Sequence, residues 1–126
     1  MTIQSIDHFN ITAPQPLLDR VRDFYIQILG FQEGFRPNFP ISGYWLYLGQ
    51  KAMIHLVEPV DGHQAVQQNG CLDHISFLCD DIDEMTNTLK NNNISFKKFT
   101  VPDINACQLV FNDPTGFKIE LLFQKC

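Results

Sequence analysis

The sequence predicts an α+β fold built from two tandem βαβββ modules, about residues 1–60 and about 70–126, in a single domain. Three observations carry this reading. Apolar residues switch between period two and helical spacing in the same order twice, similar turn residues punctuate both halves, and short motifs recur at a nearly constant offset.

The elements follow in order. Ile3 to Ala13 sets Ile6, His8 and Asn10 on one face and Phe9 and Ile11 on the other, so it reads as a strand that Pro14 and Pro16 end. Leu17, Leu18, Val21, Phe24, Tyr25, Ile28 and Leu29 then form a helical stripe, with Pro16 at its start and Gly30 as its stop. Strand-like runs follow at Phe31–Arg36, Tyr44–Leu48 and Ala52–Val57, and the aromatic residues of the middle run are expected in the core. Glu58 to Gly70 carries turn formers and reads as a connecting loop, with His63 exposed and without a role.

The order then repeats. Leu72–Cys79 alternates like the first strand, and Asp81 with Glu84 three residues on marks an N-cap. Ile82, Met85 and Leu89 form the second stripe, which Asn91-Asn92-Asn93 closes. Ile94–Phe99, Gln108–Asn112 and Phe117–Phe123 follow as strands, the last two joined by the turn Asp113-Pro114-Thr115-Gly116. Ile6-Asp7-His8-Phe9 matches Leu72-Asp73-His74-Ile75 at an offset of 66, and Ile54-His55-Leu56 matches Ile119-Glu120-Leu121 at 65.

Composition bounds the function classes. At 126 residues, with 44% apolar and 18% charged, the chain has material for one core. A net charge of −5 with nine thinly spread Lys and Arg argues against nucleic acid or an anionic membrane as partner. No basic leader precedes an apolar run and none approaches bilayer length, so a cytoplasmic protein is expected. Cys71, Cys79, Cys107 and Cys126 show no CxxC spacing, and in that compartment they are expected as reduced, incidental thiols.

His8, His55 and His74 fall inside expected strands, together with Glu120, the one acid of an otherwise apolar strand. Such groups are costly to bury unless paired, hydrogen-bonded or metal-bound. They come from the first and last strands of each module at equivalent places. If the modules pack by a pseudo-twofold, the four side chains face one centre and make a site for Zn, Ni, Fe, Mn or Co, with His8, His74 and Glu120 alone a two-histidine, one-carboxylate face. Asn10 and Ser76, two residues beyond a histidine, share the ligand face. With Arg36 and Gln108 they are the candidate substrate contacts, while Tyr47 and Lys118 read as rim residues. Asp7 and Asp73, each just before a metal histidine, read as strand-end residues without a role.

These motifs resemble the vicinal oxygen chelate superfamily of glyoxalases, fosfomycin-resistance transferases, bleomycin-binding proteins and extradiol dioxygenases. The resemblance rests on Ile6-Asp7-His8, Asp23-Phe24-Tyr25 leading to Leu29-Gly30-Phe31, Leu72-Asp73-His74-Ile75, and Asp113-Pro114-Thr115-Gly116-Phe117-Lys118-Ile119-Glu120. It implies a cupped mixed sheet with the helices on its outer face and one divalent metal held at the positions of His8, His74 and Glu120. His55 departs from the family's usual glutamate, which serves glyoxalases as ligand and base; here it is expected as a fourth ligand. Glu120 and His55 are the candidate catalytic groups. The resemblance implies a metal-dependent isomerase, lyase or transferase of a small substrate, with a non-catalytic sequestering protein of the bleomycin-resistance type as the alternative. A homodimer is expected, because sheets of this length leave open edges.

Overall fold

The computed structural model describes residues 4–59 and 71–126. The chain divides into two compact units, Met1–Val66 and Gln67–Cys126. In the first, strand β1 (Phe9–Thr12) leads into helix α1 (Gln15–Gln27) and strands β2 (Gln32–Gly34), β3 (Gly43–Leu48) and β4 (Lys51–Val57). In the second, β5 (His74–Cys79), α2 (Ile82–Asn91), β6 (Lys97–Val101), β7 (Ala106–Asn112) and β8 (Lys118–Phe123) repeat the order. The expected βαβββ pair is therefore present among the described residues, as one four-stranded mixed sheet and one α-helix in each unit, with a short 3-10 turn, Pro102–Ile104, before β7.

Each unit closes its sheet in the same way. The first strand pairs parallel with the last, and the others pair antiparallel, giving orders β1-β4-β3-β2 and β5-β8-β7-β6. Because side chains alternate along a strand, each sheet has one dry face and one open face. Leu46, Ile54 and Leu56 are fully buried on the dry face of the first sheet, which α1 covers with Leu18, Val21 and Tyr25. Leu109, Phe111, Ile119, Leu121 and Phe123 fill the equivalent face of the second.

The local signals explain the helix ends. Gly30 adopts a left-handed conformation (φ 77°), which lets the Phe31 amide donate to the Tyr25 carbonyl at 3.0 Å and turns the chain out of α1. The Asp81 side chain caps α2 by accepting from the Glu84 amide at 2.9 Å. Asn93 is left-handed (φ 56°), and paired bonds from Ile94 to Leu89 and from Asn93 to Lys90 end α2 in a Schellman motif.

Three expectations change. The first strand of each unit begins later than its hydrophobic pattern suggests, at Phe9 and at His74. Ile6 and Leu72 are largely exposed, so His8 sits just ahead of its strand. The sixth strand runs Lys97–Val101 rather than from Ile94, because the Schellman turn occupies Ile94. The expectation of reduced cysteines fails for one pair. Cys107 and Cys126 form a disulfide across a Cα separation of 5.2 Å, while Cys71 and Cys79 are free. The cause is strand register: Cys107 lies opposite Phe123, so the last three residues bring Cys126 back to it. His63 and most of the loop it was placed in lie outside the described residues.

Candidate functional site

Register places the candidate residues on the open faces. In the first sheet Asn10 pairs with His55, and His55 with Trp45; in the second, Ser76 pairs with Glu120, and Glu120 with Val110. The equivalence of His55 and Glu120 is thus a property of the pairing as well as of the sequence. Glu120 is half-buried, its side chain 18% exposed, and its Oε1 lies 3.9 Å from His74 Nε2. That separation is close to the span of two ligand atoms each about 2.1 Å from one divalent ion.

Both strand-opening histidines are held by the aspartate before them. His8 Nδ1 donates to Asp7 Oδ2 at 2.7 Å, and His74 Nδ1 donates to Asp73 Oδ2 at 2.8 Å. A carboxylate only accepts, so Nδ1 carries the proton and Nε2 of each neutral ring keeps a free lone pair. This is the carboxylate–imidazole arrangement that orients histidine ligands of metals. The hydrogen bond from its histidine is the main influence holding each aspartate below the ordinary carboxylate range, and Lys118, donating to Asp73 Oδ2 at 2.9 Å, adds to it in the second unit. Asp7 and Asp73 are candidate site residues that sequence reading passed over.

His55 is oriented differently. Its Nε2 donates to the Ala52 carbonyl at 3.1 Å, which leaves Nδ1 with the lone pair. Its ring is sandwiched, with the His8 ring centroid at 3.7 Å and the Trp45 ring centroid at 4.0 Å, both nearly parallel. Burial, and next the nearby His8 ring, lower its pKa, so it favours the neutral state that a ligand or base requires.

This stack lines a cavity of about 520 Å³ within the first unit. His8, Asn10, Arg36, Trp45 and His55 contribute to its wall, as do the apolar residues of the Phe39–Ile41 segment. Trp45, expected in the core, is a half-buried wall residue instead. The Asn10 amide donates to Thr12 Oγ1 at 2.9 Å, and Arg36 Nη2 donates to the Ile41 carbonyl at 2.8 Å. Ser76 is exposed beside Glu120, and Gln108, opposite Leu122, shares that open face. Tyr47 donates to the Phe35 carbonyl at 2.6 Å.

Each unit supplies two donors of types that suit a divalent metal: the imidazoles of His8 and His55 in the first, and the His74 imidazole with the Glu120 carboxylate in the second. The four expected ligands come as two pairs, His8 with His55 and His74 with Glu120. Among the described residues no three His, Cys, Asp or Glu side chains gather as a metal-holding group.

The family model of the Glyoxalase/Bleomycin resistance protein/Dioxygenase superfamily matches residues 5–121. The chain belongs to that superfamily. It is 30% identical to "Glyoxylase I 4" of Arabidopsis thaliana over 125 residues, 94% of this chain and 70% of that protein. Among solved structures, it resembles a glyoxylase/bleomycin resistance protein/dioxygenase domain from Frankia sp. EAN1pec with a TM-score of 0.76, at 22% identity over 97% of this chain and 93% of that one. It also resembles a mutant of the genomically encoded fosfomycin resistance protein FosX from Listeria monocytogenes, complexed with Mn(II) and a dihydroxypropylphosphonic acid. There the TM-score is 0.76 at 16% identity, covering 97% and 93% of the two chains. This superfamily's fold is the one described above.

Proposed function

We propose that this glyoxalase-superfamily chain is a metal-dependent isomerase, lyase or transferase acting on neighbouring oxygens of a small molecule. His8, His55, His74 and Glu120 would hold the metal. The observation that carries the reading is the Asp–His pair that opens the first strand of both units, since it leaves Nε2 of His8 and of His74 as an oriented donor. The complex of the FosX mutant with Mn(II) and a diol phosphonate supports it by analogy of fold. A bound divalent ion supplies Lewis-acid stabilisation of negative charge on substrate oxygens.

The chain's own groups divide the remaining work. Asp7 and Asp73 hold the proton on Nδ1 of their histidines, so that Nε2 stays available. Glu120 and His55 would accept a substrate proton only when released from the metal, and the lowered pKa of His55 favours its neutral, proton-accepting form. Asn10, Arg36, Ser76 and Gln108 orient the substrate. The protein works as a cytoplasmic homodimer, with neither nucleic acid nor membrane as partner; among the described residues no helix is long and apolar enough to cross a bilayer.

The test is metal content after purification without added metal, by elemental analysis, for the wild type and for His8→Ala and Glu120→Ala. Each variant is expected to lose metal affinity by at least about tenfold. Full occupancy in both variants, or no metal and no rebinding in the wild type, would sink the reading. In the latter case the aromatic cavity favours the second reading, a protein that sequesters a small compound unchanged.

A further inference from the structure

The cavity of the first unit carries a chemical signature of its own, and reading it deepens the proposed function by naming a substrate class. Its volume of about 520 Å³ lies within the roughly 300–1,000 Å³ of small-molecule sites, enough for a one- or two-ring compound. Trp45 and His55 stack in parallel, and the Phe39 ring lies 6.2 Å from Trp45, tilted by 46°. Flat π surfaces of this kind favour a flat ligand.

Charge in the wall is sparse. Arg36 is the permanent cation among the described lining residues, and Asp7, the acid among them, is engaged by His8. The Arg36 guanidinium lies 5.0 Å from the Phe39 ring centroid, its Nη2 reaches the Ile41 carbonyl, and its Nε is buried with no hydrogen-bond partner. Among the described residues the half-buried guanidinium has one neutral acceptor and no carboxylate partner, and a ligand anion beside it supplies the missing charge.

We infer that this cavity takes an aromatic carboxylate, its ring against Trp45 and Phe39 and its carboxylate toward Arg36. A neighbouring hydroxyl or oxo group on such a molecule is then on the side of His8 and His55; this last step rests on the proposed function. A glutathione-type conjugate is a poor fit. Such a conjugate brings two carboxylates and an ammonium, and the described lining offers a single cation for the two carboxylates.

The chain's one tryptophan is Trp45, so tryptophan emission reports on this cavity alone. The probe is mandelate, an aromatic 2-hydroxy acid, titrated in the presence of a chelator and again with added Mn(II). Mandelamide removes the charge, lactate removes the ring, and S-methylglutathione represents the conjugates. The expected result is a saturable change in Trp45 emission with mandelate, weaker by about tenfold or more for the other three compounds and for Arg36→Gln. Should Arg36→Gln melt early, Ile41→Glu places a competing carboxylate at the guanidinium and is expected to abolish binding equally.

No response to mandelate in the wild type, an equal response to mandelamide, or tighter binding of S-methylglutathione overturns the inference. Mandelate binding in chelator by a protein that neither retains metal on purification nor rebinds added Mn(II) leaves the inference standing and removes the metal-dependent reading. Retained metal without mandelate binding does the reverse.

Discussion

An aspartate before a histidine costs the chain little and fixes which ring nitrogen faces outward. Asp7 and Asp73 do this in the two units at nearly the same distance, 2.7 and 2.8 Å. The repeated Asp-His dipeptide was visible in the sequence, yet it suggested no role, because neighbouring residues of a strand point to opposite faces. The strands in fact begin at Phe9 and His74, so neither aspartate is confined to a strand and each turns back to its neighbour. The aromatics of the middle strand could line a pocket or fill the core, and their spacing favours the core, where Trp45 does not lie. Nothing in the spacing of Arg36, Phe39 and Trp45 says that an irregular segment folds over a strand. Asp73→Asn should therefore lower metal affinity about ten- to a hundredfold, since an amide accepts or donates and no longer fixes the tautomer. Asp73 is exposed, so the fold should survive. Calorimetric metal titration checks this, and unchanged affinity in a folded variant would remove Asp73 from the site.

At the scale of elements, helices were more legible than strand ends, because capping residues act locally whereas a strand's first residue is decided by its partner. Asp81, Asn93 and Gly30 each do what their type suggests. The disulfide between Cys107 and Cys126 was illegible, since only the pairing of β7 with β8 brings a separation of 19 residues together. The contact of α1 with β3 is likewise tertiary. Tyr44 donates to Asp19 Oδ1 at 2.6 Å, Gln15 donates to the same oxygen at 2.7 Å, and Arg22 lies 4.6 Å from the Tyr44 ring centroid. The Tyr44 hydrogen bond is the main cause holding Asp19 below the usual 3.8. A carboxylate with a depressed folded pKa contributes stability that is present above its unfolded value and lost as pH falls through the folded one. Tyr44→Phe should thus melt below the wild type at neutral pH, and the gap should close as the pH drops below 3.8. Melting curves at a series of pH values decide it; a gap constant down to acid pH would mean that Tyr44 stabilises by packing alone.

Across the whole molecule the duplication is the organising fact, and most of it could be read from offsets of 66 and 65 residues. The structure adds that the duplication extends to hydrogen-bond register, pairing Asn10 with His55 as Ser76 pairs with Glu120. The two units nevertheless differ in what surrounds the equivalent groups. Glu120 stands beside Val110 and within reach of His74, whereas His55 lies between two rings. The first unit has therefore specialised toward an aromatic wall while keeping a donor at the shared position. His55→Glu makes the units alike again and separates these two roles. The carboxylate keeps a metal donor in place, so metal occupancy should stay near that of the wild type, well above His8→Ala. The stack is lost with the ring. Removing two stacked contacts, each about 0.5–1.5 kcal/mol, should lower the melting temperature by several degrees and alter Trp45 emission. Metal content as low as in His8→Ala, with the emission of Trp45 changed as expected, would show that position 55 serves the cavity wall and not the metal.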